Sequence, residues 1–220
     1  MDLAAFLADL DAWADERDPG AKTVAYGERP DQVVDRRGSG RDVVLVHGGF
    51  WRPDWDRSTM RALAVHLALE GWTTWNLEYR RTGLDDTLAD VRAALELTGP
   101  APAIGHSAGG HLVLWAAAEE LVERAISLAG VTDLARAARE RIGGGAAVAL
   151  AGEEPPAHAD PMRRRPLPVP VLLVHGTEDD RVPADYSRGF GGELLELPQT
   201  GHFELVDPRS TAWAQVEERL

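Results

Sequence analysis

The feature of this chain that most constrains its fold is a series of short apolar runs that alternate with segments of helical periodicity. The five runs are RDVVLVHGG, GWTTWNLEY, APAIG, RAISLAG and VPVLLVHG, and four of them end in glycine. Continuous apolar runs of this length are typical of strands that are buried on both faces of a parallel sheet. Because parallel neighbours need crossover connections, the alternation predicts an α/β fold with a mostly parallel central sheet and helices on both faces.

The remaining segments fit the same architecture. Two further strands, TVAY and DQVVDRR, flank the turn GERP, while GELLELP and TAWAQVEERL close the chain with a strand and a helix. Apolar residues recur at helical spacing over residues 2–16, 55–69, 86–97 and 107–121. The length of 220 residues suits a single domain spanning 1–220. Residues 131–165 are enough for a small helical cover, but not for a large lid.

Composition narrows the classes of partner. The formal charge of −13 disfavours binding to nucleic acid or to an anionic membrane surface, because both need a basic face. The chain has no cysteine, no long apolar stretch and an acidic N-terminus, so we expect a cytoplasmic protein without a thiolate metal cluster. The glycine-rich stretches GRDVVLVHGG and RIGGGAA match no nucleotide-binding motif. We therefore expect a small-molecule partner, no cofactor and no metal, and leave the oligomeric state open.

Polar or glycine-rich stretches follow four of the predicted strands. They are HGGFW, GHSAGG, HGTEDDRVP and TGHFELVDP. Ligands of open α/β sheets bind at the carboxyl ends of the strands, where such loops meet. The sequence therefore predicts a site at which all four stretches converge.

Ser107 lies in the second of these stretches, between glycines at positions 105 and 109. The pattern fits G-x-S-x-G, in which a tight turn from strand to helix exposes a nucleophilic serine hydroxyl. The helix N-terminus then lies beneath any negative charge that develops on the substrate. The alternative is a serine that merely caps the helix, but a capping serine does not require glycine at both flanking positions.

A serine hydroxyl needs a base, and the seven histidines differ in their suitability. His202 follows the final strand, after a glycine that lets the backbone turn, and we predict that it is the base. His106 adjoins the nucleophile and is placed at the substrate pocket, with its side chain pointing away from Ser107. The other five, His47, His66, His111, His158 and His175, are interpreted as structural or solvated.

The third stretch offers Glu178, Asp179 and Asp180 as the acid that orients the base. The chain order serine, acid, histidine is the one expected for a nucleophile on a strand-to-helix turn in an α/β sheet. Physical reasoning does not choose between the two aspartates, because adjacent side chains in a loop can diverge either way.

These motifs resemble those of the α/β-hydrolase superfamily, and within it the small esterases and arylformamidase-like enzymes with an H-G-G-x-W loop. The resemblance covers nearly the whole chain, from YGERPDQVVD through HGGFW, NLEYRR, GHSAGGH and HGTEDDRVP to GHFELVDP. It implies an α/β-hydrolase fold with only a small cap. It also implies that the acid is Asp179, in a triad with Ser107 and His202.

The same resemblance assigns the oxyanion hole to the backbone amides of Ala108 and of Gly49 or Phe50. Phe50 and Trp51 would then line the substrate pocket, although Trp51 can equally be a core aromatic. The short segment ADYSRGFGGELLEL departs from the family, in which a longer helix usually follows the acid.

The sequence thus predicts a metal-free serine hydrolase that cleaves small carboxylic esters through an acyl-enzyme. An arylformamidase-like amidase that acts on N-formyl aromatic amines is the alternative, suggested by the tryptophan of HGGFW. A non-catalytic binding protein on the same fold is the third hypothesis, because fold does not determine function.

Overall fold

An eight-stranded sheet forms the centre of the protein in a computed structural model that describes residues 2–220. The strands are β1 (Lys22–Ala25), β2 (Val33–Arg37), β3 (Arg41–Val46), β4 (Trp72–Leu77), β5 (Pro102–His106), β6 (Arg124–Leu128), β7 (Val171–Gly176) and β8 (Glu193–Leu197). Their order is β1-β2-β4-β3-β5-β6-β7-β8. The β1–β2 and β2–β4 pairs are antiparallel, and all other pairs are parallel. The predicted mostly parallel sheet is confirmed.

Eight helices connect or flank the strands within the described residues. They are α1 (Leu3–Asp15), α2 (Arg61–Leu69), α3 (Leu84–Thr98), α4 (Ala108–Ala118), α5 (Leu134–Glu140), α6 (Ile142–Ala151), α7 (Asp185–Phe190) and α8 (Thr211–Glu217). The helix predicted over 55–69 begins later, because Asp56 caps a 3₁₀ turn at Arg57–Met60 that precedes α2. Across residues 2–220, no helix has both the length and the apolar character needed to span a bilayer.

The core has one layer on each face of the sheet. In β3, Val44 and Val46 pack in the layer that contains α3 and α4. Their neighbours Val43 and Leu45 pack in the opposite layer, with α2 and the fully buried Trp213 of α8. This alternation follows from the two-residue period of a strand, and it places helices on both faces as predicted.

Residues 131–165 contain α5, α6 and two 3₁₀ turns, Ala157–Ala159 and Pro161–Arg164. Asp160 is fully buried and joins the two ends of this segment. Its carboxylate accepts hydrogen bonds from the backbone N–H groups of Leu134 and Ala135, each at 3.1 Å, and of Met162 at 3.2 Å. One side chain thus stabilises the start of α5 and the turn that follows α6.

A buried polar cluster supports the loop that follows β3. His47 stacks on Tyr79, with ring centroids 4.4 Å apart, and the Tyr79 hydroxyl donates to the His47 carbonyl oxygen at 2.9 Å. The two ring nitrogens of His47 contact the Gly48 carbonyl oxygen at 2.8 Å and Glu78 Oε1 at 3.1 Å. Glu78 also accepts from the Arg57 backbone N–H at 3.0 Å and pairs with Arg81. The cluster fixes the direction in which the chain leaves β3.

The same cluster makes the stability of the fold depend on pH. Burial alone would raise the pKa of Glu78, but the His47 contact, the Arg57 N–H and the charge of Arg81 outweigh it and lower the pKa from 4.5 to about 2. A carboxyl group whose pKa is lower in the folded state than in the unfolded state stabilises the fold at any pH above the unfolded-state pKa. That contribution, at most about 3 kcal/mol, is lost as the pH falls from about 4.5 to about 2.

We predict that Glu78→Gln lowers the free energy of unfolding at pH 6 and flattens its dependence on pH in acid. Urea denaturation followed by tryptophan fluorescence at pH 6, 4 and 2.5 measures both effects. Glu96→Gln is the matched control, because Glu96 is exposed on α3, and this variant should follow the wild type. Parallel pH profiles for wild type and Glu78→Gln would contradict the prediction.

Candidate active site

The four polar stretches meet at the carboxyl edge of the sheet, around a cavity of about 290 Å³. The cavity is lined by Leu3, Gly48, Gly49, Phe50, Arg52, Trp55, Thr59, His106, Ser107, Gly143, Gly144, Arg181, His202 and Phe203. Each of the four stretches contributes at least one residue. Ser107 and His202 therefore open onto the same space.

Ser107 occupies the turn between β5 and α4, with backbone angles φ 55° and ψ −116°. A non-glycine residue in this conformation is strained, and the surrounding backbone holds it in place. The Ser107 N–H donates to the Leu128 carbonyl oxygen at 2.8 Å, and its own carbonyl oxygen accepts from the N–H groups of His111 and Val131. The turn thus presents the side chain at the start of a helix.

Glycine is required around this turn because neighbouring backbone comes too close for a side chain. A Cβ on Gly109 would lie 2.0 Å from the Val46 carbonyl oxygen, and one on Gly105 would lie 2.1 Å from the Gly109 carbonyl oxygen. A Cβ on Gly48 would lie 2.8 Å from the Ser107 Cβ. The β3 loop and the β5–α4 turn therefore touch through bare backbone.

His202 lies in the loop after β8 and contacts Asp179, which lies in the loop after β7. Its Nδ1–H donates to Asp179 Oδ2 at 2.6 Å. Since a carboxylate only accepts, the proton of the neutral imidazole lies on Nδ1, and Nε2 carries a lone pair. Asp180, in contrast, has a side chain that is 77% exposed and lies 3.3 Å from Arg181. The structure therefore places Asp179, not Asp180, against the imidazole.

Asp179 is held as an anion by its surroundings. Its Oδ1 accepts from the backbone N–H groups of Arg181 and Val182, each at 2.8 Å, and its Oδ2 lies 3.2 Å from His175 Nε2. Burial disfavours the charged form, but the hydrogen bonds from His175 and His202 outweigh it and keep the pKa of Asp179 far below its ordinary value. α7, which follows this loop, is only six residues long, but the carboxylate has four donors: two N–H groups of the loop and the imidazoles of His175 and His202.

His106 lines the cavity beside the base. Its Nε2–H donates to the His202 carbonyl oxygen at 3.0 Å, and the two ring centroids are 4.5 Å apart. Burial, together with the proximity of His202, lowers the pKa of His106 to about 3. His106 therefore stays neutral and supports the His202 loop.

The amides expected to form the oxyanion hole are available as donors. Across residues 2–220, the backbone N–H groups of Gly49, Phe50 and Ala108 donate no hydrogen bond to another protein group. Ala108 is the first residue of α4, so its N–H has no partner within the helix. These groups belong to the two segments that touch at Gly48 and Ser107.

Trp51 does not line the cavity, so its assignment to the substrate pocket is corrected in favour of the alternative, a core aromatic. Phe50 and Trp51 follow Gly49 with positive φ angles of 51° and 53°, so the chain turns inward after the glycines. Trp51 is only 4% exposed and lies edge-on to His111, 5.3 Å away between ring centroids. Its bulk therefore fills the core, and Phe50 alone of this pair lines the cavity.

Sequence reasoning missed several residues of the site. Trp55 and Phe203 stack on each other with centroids 6.1 Å apart, and both line the cavity. Arg52 and Gly143 also line it, from the β3 loop and from the glycine-rich start of α6. Phe203 directly follows His202, and Arg52 directly follows HGGFW, so adjacency to these predicted site residues could have indicated both. Nothing in the sequence showed that RIGGGAA would reach the same place.

The histidines interpreted as structural make varied contacts. His111 and His66 contact the Ala159 carbonyl oxygen and Glu217, at 2.7 and 2.8 Å. His175 contacts the Val182 carbonyl oxygen and the Ser187 hydroxyl, and it reaches Asp179 as well. Within the described part of the chain, no hydrogen bond joins the Ser107 hydroxyl to His202. Hydrogen bonds between a nucleophile and its base are often long or poorly aligned in ligand-free structures.

Comparison with solved structures identifies the fold. A candidate thioesterase from Silicibacter sp. TM1040 is 21% identical, with a TM-score of 0.74, over 97% of this chain and 93% of that one. An esterase from Thermogutta terrifontis is 20% identical, with a TM-score of 0.73, over 91% and 90% of the two chains. Esterase B from Lactobacillus rhamnosis is 17% identical, with a TM-score of 0.73, over 98% and 90%. At these identities the likeness establishes the α/β-hydrolase fold and nothing finer.

Sequence comparison gives the family. No curated protein matches the chain. The sequence model of the prolyl oligopeptidase family matches residues 74–194, more than half of the chain. The match runs from β4 through the Ser107 turn and the Asp179 loop to β8. The chain therefore belongs to the prolyl oligopeptidase family, within the α/β-hydrolase superfamily.

Proposed function

We propose that the protein is a serine hydrolase that cleaves small carboxylic esters through an acyl-enzyme. The observation that carries this proposal is the 2.6 Å contact between His202 and Asp179, at a cavity that Ser107 also lines. The proposal takes residues 1–220 as one catalytic domain, with residues 131–165 as the cover of the cavity. It requires no metal and no cofactor.

The mechanism begins with a substrate carbonyl next to the Ser107 hydroxyl. The hydroxyl oxygen attacks the carbonyl carbon while His202 Nε2 takes the hydroxyl proton. His202 then gives that proton to the departing alcohol, which leaves an acyl group on Ser107. Water, deprotonated by the same nitrogen, releases the acid and restores the serine. Asp179 orients the imidazole and stabilises its cation, because it is held as an anion beside Nδ1.

Each tetrahedral intermediate places a negative charge on the former carbonyl oxygen. The amides of Ala108 and of Gly49 or Phe50 are proposed to donate to this oxygen. A preorganised donor of this kind contributes about 3 to 4 kcal/mol to the stability of a transition state. Their lack of protein acceptors, described above, supports this role.

Ester hydrolysis has more support than formamide hydrolysis. The tryptophan of HGGFW suggested the formamidase hypothesis, but Trp51 is buried in the core and does not line the cavity. Among the proteins of similar fold, Thermogutta terrifontis esterase 2 has been seen phosphonylated by sarin and bound to propionate, and esterase B has been seen with a tributyrin phosphonate. The tetrahedral phosphorus of a phosphonate resembles the tetrahedral intermediate of ester hydrolysis, and propionate is the acid that a propionate ester releases.

We predict that a fluorophosphonate probe labels the wild type covalently and leaves Ser107→Ala unlabelled. The probe needs both an activated serine and a base, so it also discriminates between an enzyme and a binding protein. Ser39→Ala is the control, because Ser39 is exposed at the opposite edge of the sheet. Intact-protein mass spectrometry measures the adduct. An unlabelled wild type would favour the non-catalytic hypothesis.

Asp179→Asn should lower kcat for p-nitrophenyl acetate by about 10³- to 10⁴-fold, because an amide that donates to Nδ1 stabilises the wrong tautomer of the imidazole. Asp180→Asn removes the same charge from the exposed neighbour and should retain activity within about twofold. Circular dichroism checks that both variants are folded. Equal losses in the two variants would contradict the assignment of Asp179.

A substrate panel tests the reaction itself. The proposal predicts that p-nitrophenyl esters from acetate to octanoate are cleaved with higher kcat/KM than N-formylkynurenine or a prolyl p-nitroanilide peptide. Rates are measured by absorbance, with Ser107→Ala as the blank for uncatalysed hydrolysis. Preference for the formamide would establish the amidase hypothesis, and preference for the peptide would make the protein a peptidase.

A further inference from the structure

Within residues 2–220, every charged side chain that lines the cavity is an arginine. Arg52 and Arg181 line it, and no carboxylate does. This distribution contrasts with the formal charge of −13 carried by the whole chain. The proposed nucleophile therefore faces a local charge of the opposite sign to that of the molecule.

Arg52 differs from the other arginine at the cavity in having no counter-ion. Arg181 lies 3.3 Å from Asp180, which offsets its charge. The Arg52 guanidinium donates to the Gly143 carbonyl oxygen, and across the described residues it forms no ion pair with a carboxylate. A guanidinium has five N–H donors in a planar fork, so this one contact leaves most of the fork for a ligand.

The walls next to this cation are apolar. The stacked rings of Trp55 and Phe203 line the same cavity as Arg52, and so does the ring of Phe50. Leu3 of α1 adds an aliphatic surface. A cation beside flat apolar walls matches a ligand that combines an apolar body with an anionic end.

We infer that the natural substrate is a carboxylic ester that also carries a carboxylate, and that Arg52 binds this carboxylate. The inference rests on the proposed function and specifies its substrate class. A planar carboxylate can accept two parallel hydrogen bonds from a guanidinium, which a neutral group of the same size cannot match. Arg52 thereby determines specificity and takes no part in the proton transfers.

The acidic surface of the protein does not oppose this assignment. Charges on an exposed surface are screened over about 8 to 10 Å at physiological ionic strength. Arg52 is itself exposed, and Glu178, Asp180 and Glu204 line an adjoining cavity. The inference therefore depends on a direct contact between the ligand carboxylate and Arg52, and not on the field of the whole cavity.

The test compares paired esters that differ in one charge. The first pair is 4-acetoxybenzoate and its methyl ester, which place the charge on the departing phenol. The second pair is the p-nitrophenyl monoester of adipic acid and p-nitrophenyl hexanoate, which place it on the acyl group. The measured quantity is the ratio of kcat/KM for the anionic ester to that for the neutral ester, which removes changes common to both.

We expect Arg52→Gln to lower this ratio at least about tenfold in one of the pairs, the factor that one charge-assisted hydrogen bond contributes. Arg52→Lys should keep part of the preference, and 0.5 M NaCl should weaken it in the wild type. Arg41→Gln is the matched control. It removes the same charge at the N-terminal end of β3, where Arg41 is 64% exposed, and should leave the ratio unchanged.

The outcomes separate this inference from the function on which it rests. If the neutral esters are cleaved and Arg52→Gln lowers both members of each pair equally, Arg52 merely holds the Gly143 segment and the inference is wrong. The proposed function would then stand. If the wild type cleaves none of the four esters, both proposals fail.

Discussion

The direct contact of backbone with backbone at the β5–α4 turn is the constraint on which the rest of the site depends. α4 can approach β3 only because Gly105 and Gly109 carry no side chain, and this approach holds Ser107 in its strained conformation. The same contact brings the Gly48 loop against Ser107. The proposed nucleophile and the proposed oxyanion donors are thus placed by one packing event, before any substrate is present.

The second constraint on the site is electrostatic. Asp179 is buried as an anion, which would be unfavourable without the two backbone N–H groups and the two imidazoles that surround it. The energy that stabilises this carboxylate also fixes the tautomer of His202. Stability and proposed chemistry are therefore coupled in the same hydrogen-bond network. The Glu78 cluster behind the β3 loop is a second buried carboxylate that is held as an anion by its partners.

The sequence was sufficient to predict what depends on local pattern. Continuous apolar runs predicted the parallel strands, and the glycines around Ser107 predicted the turn, because both express constraints on neighbouring residues. It did not predict the position of Trp51, which depends on how two positive φ angles turn the chain. Nor did it choose between Asp179 and Asp180 from physics, or show that His175 would share the carboxylate, since those contacts depend on how distant segments pack. Arg52 was missed for the same reason, because its partner Gly143 is far away in sequence.

The glycine run at the start of α6 has a consequence for the shape of the cavity. Gly143, Gly144 and Gly145 are all in left-handed conformations, and a Cβ on Gly143 would come within 2.5 Å of the Phe50 ring. A single methyl group added there would strain the backbone and intrude on the wall of the cavity, without touching the loops that carry Ser107, Asp179 and His202. The width of the cavity thus depends on a segment that is separate from the proposed triad.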